Sequence, residues 1–237
     1  MTITFVTAFY APSSPVVFRT SEFYFSMFEH LASTELPILL FLDDTLHERG
    51  ERLREKYGNV TIEYTTLDKS WLPDTDFVLP TTRNLVKDTI DYFHIQLSKL
   101  RHLSRASKMV DTTHLAWIDF GIFHVFRDVD HAKQLLRQIY EMEFSLDTVF
   151  SPGCWQQTSK NFVHDNIVWY HCGGFMLGDT KLFDNLCIKQ NELVQKHLPL
   201  LTWEVNYWAM LDDFTIYMAD HNDTMLSGLI KCIKCMK

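Results

Sequence analysis

The segment of residues 115–126, which reads LAWIDFGIFHVF, contains the most promising catalytic or metal-binding residue, Asp119. An apolar strand that ends in an acid would hold this carboxylate rigidly at a sheet edge. A carboxylate placed there can bind a divalent cation, which bridges diphosphate oxygens and neutralises leaving-group charge. The spacing leaves a structural alternative equally open, in which Asp119 caps the following turn and Gly121 supplies a positive φ.

The letters DFG at residues 119–121 also occur in protein kinases. A kinase requires in addition a glycine-rich GxGxxG loop and an HRD catalytic loop. The sequence contains neither of these motifs, so the kinase interpretation fails.

A pair of glycines, Gly173 and Gly174, interrupts the β-like run YHCGGFMLGD at residues 170–179. Paired glycines inside such a run are typical of a bulge or of a close backbone approach by a ligand. A simple bend in the sheet is the alternative.

Two further segments carry candidate side chains. The helix predicted over 203–211 has Glu204 and Asn206 in its first turn, where an acid commonly complements the helix dipole without any catalytic role. The segment ADHNDT at 219–224 includes His221, which could complete a metal site with Asp119 if the chain returns to the same sheet edge. An ordinary surface loop rich in Asp and Asn is the alternative.

Three cations, Arg83, Lys87 and Lys99, lie in or beside a long amphipathic stretch. Each alone is more typical of a solvated side chain than of a ligand, and only proximity to Asp119 makes them candidates for phosphate binding. Cys232 and Cys235 form a CxxC, but a structural zinc normally needs a second pair. We therefore expect these two cysteines to lie on a helix face.

Strands and helices are expected to alternate along the chain. The patterns predict strands at 2–8, 37–42, 60–64, 114–118, 148–150 and 167–177, the last broken by the CGG of residues 172–174. They predict helices at 21–32, 45–57, 85–100, 129–143, 180–196 and 203–211. Such alternation favours an α/β three-layer sandwich around a mostly parallel central sheet, with ligands beyond the carboxyl ends of the strands. A loop, YAPSSP, follows the first strand.

The amino-acid composition excludes some classes of function. The 237 residues include 22 basic and 30 acidic side chains, a net charge of −8, which argues against binding DNA or RNA by counterion release.

The apolar run at 37–42 is too short to cross a bilayer, and the start of the chain lacks a signal-peptide pattern. Five cysteines fit a reducing compartment. We expect one domain over residues 1–237, soluble and cytoplasmic, without a transmembrane segment.

Four segments together, RNLVKDTIDYFHIQLSKL, LAWIDFG, HCGGFMLGD and EVNYW, resemble the HtrL/YibB-like family of proposed bacterial glycosyltransferases. More distantly, the chain resembles sugar-nucleotide-dependent GT-A glycosyltransferases such as the glycogenin-like enzymes. The resemblance covers the chain from its first strand to about residue 223. It implies a GT-A-like, Rossmann-type fold.

The resemblance also implies a metal site for Mn²⁺ or Mg²⁺. Asp119 would take the first position of an Asp-x-Asp motif, and His221 resembles the C-terminal histidine that completes the site in glycogenin-like enzymes. The third motif position is Gly121 instead of an acid, which departs from the family pattern and puts a second carboxylate ligand in doubt.

The donor site implied by the resemblance begins at the first strand, where base and ribose would lie against Thr7, Ala8, Phe9 and Tyr10. Other donor-contacting residues would be Arg83, Lys87, Lys99, Gly121, Gly173 and Gly174. Glu204, with Asn206, would lie near the acceptor. An inverting enzyme needs a carboxylate to deprotonate the acceptor hydroxyl, and Glu204 is the candidate.

The implied function is transfer of a sugar from a nucleotide-sugar donor, expected to be a UDP-sugar, to a glycan or other hydroxyl acceptor. A non-catalytic nucleotide- or sugar-binding module on the same fold is the alternative, because the second acid is missing. A metal-dependent phosphohydrolase would be expected to cluster more acids and histidines around Asp119, and it ranks last.

Overall fold

A computed structural model describes residues 2–11, 19–73, 75–144 and 147–236. Residues 12–15 of the predicted YAPSSP loop lie outside this part of the chain. The strands are β1 (Ile3–Phe9), β2 (Ile38–Asp43), β3 (Val60–Thr65), β4 (His114–Ile118), β5 (Val149–Gly153), β6 (Phe175–Asp179) and β7 (Phe214–Met218).

The seven strands form one sheet in the order β3-β2-β1-β4-β6-β5-β7. Strand β6 runs antiparallel to both of its neighbours, and the other pairings are parallel. The predicted mostly parallel sheet is therefore confirmed.

Eight helices cover the two faces of the sheet in the described residues. They are α1 (Ser21–Ala32), α2 (His47–Lys56), α3 (Ile90–Leu97), α4 (Lys99–Ala106), α5 (Val129–Glu141), α6 (Leu182–His197), α7 (Glu204–Trp208) and α8 (Thr224–Cys235). Buried side chains of α1, α2, α5 and α8 pack on one face, and those of α3, α4, α6 and α7 pack on the other. Successive residues of β1, such as Phe5 and Val6, belong to opposite cores, because side chains alternate across a strand. The predicted three-layer α/β sandwich is confirmed.

The long helix predicted over 85–100 is wrong in two respects. It begins only at Ile90, where Thr89 caps it by accepting a hydrogen bond from the Tyr92 amide. Before it, the Asn84 side chain accepts from the amides of residues 86 and 87, which holds a turn, and Leu85 is exposed. The helix also breaks at Ser98, which separates α3 from α4.

Of the β-run predicted over 167–177 with a break at CGG, only the part after the break is confirmed, because β6 begins at Phe175 and residues 167–172 form no strand. Gly173 has a φ of +60°, and the Gly174 amide bonds back to the carbonyl of Cys172 at 2.5 Å. This tight turn kinks the chain immediately before the strand without reversing it, since Cys172 bonds to Pro152 before the turn and Leu177 pairs with Phe150 after it. The helix predicted over 203–211 is limited to the five residues of α7, and the sequence patterns missed β7.

The remaining boundaries differ little from the predictions. Thr20 caps α1 as expected, and Cys232 and Cys235 lie on α8. No helix in the described ranges has the length and apolarity needed to span a bilayer.

Candidate functional site

The site lies at the carboxyl edge of the sheet, where β4 ends beside the start of β6. Because β6 is antiparallel to β4, Ile118 pairs with Phe175 and the next residues meet across the same edge. The Asp119 amide donates to the Gly174 carbonyl at 3.0 Å. Asp119 and Gly174, 55 residues apart in sequence, thus become neighbours.

The Asp119 carboxylate is fixed in place and still accessible. Its Oδ1 accepts a hydrogen bond from Trp117 Nε1 at 2.7 Å and lies 3.1 Å from Lys99 Nζ. The side chain retains 36% of its exposure. Since Gly121 has a φ of −100°, the alternative in which it supplies a positive φ is wrong. A Cβ there would lie 2.5 Å from a ring carbon of Tyr24, so packing is what favours glycine.

Lys99, at the start of α4, contacts three groups of the site. Its ammonium lies 3.1 Å from Asp119, 2.9 Å from Glu204 Oε1 and 3.0 Å from the Gly173 carbonyl, and its side chain is only 3% exposed. Burial lowers the pKa of Lys99, but the two carboxylates raise it by more, and the net shift is upward. Lys99 therefore remains charged at neutral pH.

Glu204 and Asn206 lie on the short helix α7 and are both buried. The Glu204 side chain is 6% exposed and bonded to Lys99, so it is held away from solvent. The Asn206 amide donates to the carbonyls of Val163 and Asn166, and its oxygen accepts from the Val168 amide. Asn206 thus holds the 163–168 loop in place. The catalytic role of Glu204 and the acceptor-side position of both residues stay predictions.

The glycine pair leaves no room for side chains. A Cβ on Gly173 would lie 2.8 Å from Glu204 Oε1. A Cβ on Gly174 would lie 2.7 Å from Ile122 Cδ1, 3.5 Å from His221 Nε2 and 3.6 Å from Asp119 Oδ2. His221 and Asp119 therefore approach the same point beside Gly174, so the chain does return to this sheet edge.

The imidazole of His221 is suited to binding as a neutral ligand. Partial desolvation of its ring lowers its pKa, and the opposing effect of the nearby Asp119 charge is smaller. A neutral imidazole nitrogen can ligate a metal ion. Within the described ranges there is no group of three or more His, Cys, Asp or Glu arranged to hold a metal. Asp119 and His221 offer two ligands, and Mg²⁺-like ions commonly take one or two carboxylates and complete their shell with water and substrate phosphates.

The residues predicted to line the base and ribose are mostly inside the fold. Thr7 is fully buried, and its Oγ1 has no hydrogen-bond partner among the described residues. The Phe9 ring stacks on Phe120 at a centroid distance of 4.6 Å. The Tyr10 hydroxyl bonds His102 Nε2 at 3.1 Å, and Ala8 is partly exposed. Their contact with a donor stays a prediction.

Arg83 and Lys87 lie in the segment before α3. Arg83 donates to the Pro80 carbonyl at 3.0 Å, and the Lys87 ammonium sits 4.8 Å from the centre of the Tyr92 ring. Lys87 is close enough to His221 for its charge to contribute to the lowered pKa of that imidazole. A phosphate-binding role for both stays a prediction.

Sequence reasoning missed two features of this region. One is Trp117, whose indole N–H orients Asp119; its position two residues before the acid was the available signal. The other is a pair of free cysteines, Cys154 and Cys172, whose sulfurs lie 3.2 Å apart. Their hydrogen bond lowers the pKa of Cys154 to about 7 and raises that of Cys172 well above its usual range.

Neither a scan against protein-family models nor a search of curated proteins gives a match. Among solved structures, similar chains include the glycosyltransferase GlyE of Streptococcus pneumoniae, with 10% identity and a TM-score of 0.47, covering 91% of this chain and 45% of that one. A 4-diphosphocytidyl-2C-methyl-D-erythritol synthase from Anaerococcus prevotii has 10% identity, a TM-score of 0.45 and coverages of 92% and 89%. TarS of S. aureus has 12% identity, a TM-score of 0.43 and coverages of 91% and 58%. This chain thus spans about half the length of the GlyE chain and of the TarS 1–349 chain. With TM-scores below 0.5, these similarities do not identify a function.

Proposed function

We propose that the chain is a metal-assisted glycosyltransferase that uses a nucleotide-sugar donor, expected to be a UDP-sugar, and a glycan or other hydroxyl acceptor. The observation that carries this proposal is the arrangement of Asp119. Its carboxylate is partly exposed at the carboxyl edge of the sheet, and Lys99, which is buried and paired with Glu204, holds it in place. Asp119 and His221 both lie close to Gly174.

The formal charge of this cluster supports a role for a cation. Two carboxylates and one ammonium sum to −1, so a diphosphate alone would be repelled. Asp119 and His221 would hold a divalent cation such as Mn²⁺ or Mg²⁺. When bound, the cation supplies the positive charge that retains a diphosphate and stabilises it as a leaving group.

The chain's own residues would divide the remaining tasks. Trp117 and Lys99 hold the Asp119 carboxylate in one orientation, which reduces the reorganisation needed on binding. Gly173 and Gly174, both buried in the structure, would present backbone and no side chain towards the donor sugar. Lys87 and Arg83 lie before α3, from where they would meet phosphate or sugar oxygens.

The proposal assigns Glu204 as the base of an inverting reaction, in which it would accept the proton of the acceptor hydroxyl. Because Glu204 is bonded to Lys99 in the structure, this role requires the acceptor to reach a buried carboxylate. A retaining reaction would leave Glu204 with the task of holding Lys99. Membership of the HtrL/YibB-like family is part of the same proposal and rests on the sequence resemblance.

Thermal unfolding with a panel of nucleoside diphosphates, each with and without Mn²⁺, tests the binding step. A ligand present at about 100 times its Kd stabilises the native state by roughly 2.7 kcal/mol. We expect UDP to raise the Tm only when Mn²⁺ is present, and Asp119→Asn to abolish the shift. Asp130→Asn, which alters a highly exposed acid on α5, is the matched control.

Release of free UDP from UDP-sugars, measured with mixed glycan acceptors, tests the reaction. Release that depends on acceptor supports the transferase. Binding without release would indicate the non-catalytic module instead. No shift with any nucleotide would contradict the transferase and would leave only a sugar-binding module.

A further inference from the structure

Two thiols that the proposed reaction does not use lie beside the site. Cys154 directly follows β5, and Cys172 directly precedes Gly173. Their sulfurs are 3.2 Å apart, and a disulfide bond is about 2.0 Å long, so a movement of roughly 1.2 Å would join them. Both cysteines are free in the structure.

The backbone holds the two segments in this relation. The Cys172 amide donates to the Pro152 carbonyl at 2.7 Å, and the Cys154 amide donates to the Trp169 carbonyl at 3.0 Å. Hydrogen bonds on both sides of the thiol pair therefore keep the sulfurs close. The pairing is a property of the fold, because 18 residues separate the cysteines in sequence.

We propose that Cys154 and Cys172 are a modification site that forms a reversible intrachain disulfide by exchange with low-molecular-weight disulfides. Cys154 is partly exposed and Cys172 is only 3% exposed, so Cys154 reacts first. Its thiolate attacks one sulfur of the small disulfide, whose S–S bond breaks and releases one thiolate.

The second step closes the intrachain bond. Cys172 loses its proton to solvent and attacks the Cys154 sulfur, and the second small thiol leaves. Two protein thiols are oxidised and one small disulfide is reduced to two thiols, so atoms and electrons balance. No large movement of the chain is needed for this attack, because the Cys172 sulfur already contacts the Cys154 sulfur.

The location gives this bond a structural consequence. Cys172 is adjacent to Gly173, whose carbonyl accepts a hydrogen bond from Lys99. The Cys172 sulfur also lies 4.0 Å from the carbonyl of Ala219, two residues before His221. The disulfide would therefore tie the end of β5 to the turn that carries the glycine pair.

Peptide mapping tests the proposal on the full-length reduced protein. The protein is equilibrated with mixtures of oxidised and reduced glutathione, free thiols are alkylated, and tryptic peptides are analysed by mass spectrometry. Lys160 lies between the two cysteines, so trypsin separates them unless a disulfide links their peptides. We expect the linked peptide in wild type, and at least a tenfold loss of oxidised Cys172 in Cys154→Ser.

Two variants make the result specific. Cys172→Ala should leave glutathione attached to Cys154, because no second thiol displaces it. The double variant Cys232→Ser/Cys235→Ser is the matched control, since it removes the other closely spaced cysteines, of which Cys235 is exposed. It should keep the Cys154–Cys172 link at the wild-type level.

Persistent free thiols at both positions in wild type would overturn the proposal, and so would a stable glutathione adduct on Cys154 without the linked peptide. This readout involves no nucleotide. It therefore succeeds or fails independently of the proposed transferase function.

Discussion

Lys99 determines how the candidate site is held together. Its buried ammonium contacts the carboxylates of Asp119 and Glu204 and a backbone carbonyl. The positive charge compensates two negative charges that water solvates poorly at this position. A buried ion pair contributes little net stability compared with apolar packing, but removal of one partner leaves the charge of the other buried and uncompensated.

Lys99→Met should therefore destabilise the fold strongly, by about 3–5 kcal/mol, because Glu204 would remain buried without its partner. Urea unfolding monitored by circular dichroism measures this loss. Lys181→Met is the control, since the Lys181 side chain is 84% exposed and its ion pair with Asp179 should contribute little. Equal stability of the two variants would contradict the role given to Lys99.

Sequence reasoning at this scale could identify single residues but not their partners. Asp119 stood out because it ends an apolar run, and the structure places it at the sheet edge as that run implied. The contact of Lys99 with Glu204 joins residues 105 positions apart, and no local pattern encodes such a distance. The interior positions of Thr7 and Phe9 likewise follow from neighbouring strands and helices.

At the scale of elements, the turn before β6 controls the geometry of the site. Gly173 adopts a φ of +60°, which disfavours residues with a Cβ, and it also lies against Glu204. We expect Gly173→Ala to lower the free energy of unfolding by about 1–3 kcal/mol.

The control for this prediction is Gly58→Ala in the turn between α2 and β3. In the described part of the chain, no atom outside Gly58 and its two neighbours in sequence lies within 4 Å of a Cβ built at this position, so the urea midpoint of Gly58→Ala should stay near that of wild type. If Gly173→Ala is as stable as Gly58→Ala, a side chain at residue 173 does not strain the turn, and the prediction is wrong.

Elements were predictable where one local signal dominated. Strands β2 and β4 were found from their apolar runs, because strands buried on both faces have nearly continuous apolar sequences. The start of α3 was missed, because Leu85 and Val86 continue the helical spacing although both are exposed. Edge strand β7 was missed because its side chains are mostly half-buried, which leaves no clear pattern.

At the scale of the whole molecule, buried histidines should make the fold sensitive to mild acid. Burial lowers the pKa of both His102 and His171 to about 3, whereas an unfolded histidine titrates near 6.5. Below pH 6.5 the unfolded chain therefore binds protons that the folded chain does not. Stability must fall as the pH falls, by up to about 1.4 kcal/mol per pH unit for each histidine.

Urea unfolding at pH 6.5 and at pH 5.0 measures this effect above the range in which most carboxylates titrate. His102→Gln should reduce the loss between the two pH values by up to about 2 kcal/mol. Substitution of the exposed His131 by Gln is the control and should keep the wild-type acid sensitivity. An unchanged loss in His102→Gln would show that His102 is protonated in the folded state.

The bond between Trp117 and Asp119 has an optical consequence. Indole emission depends on the partner of the ring N–H and on nearby charge, and here the partner is the proposed ligand-binding carboxylate while the Lys99 ammonium lies 5.9 Å from the ring centre. A cation bound to Asp119 would change both the hydrogen bond of the indole N–H and the charge near the ring. Trp117 is thus positioned as an intrinsic fluorophore, and the difference in emission between wild type and Trp117→Phe would report occupancy of the site without any added label.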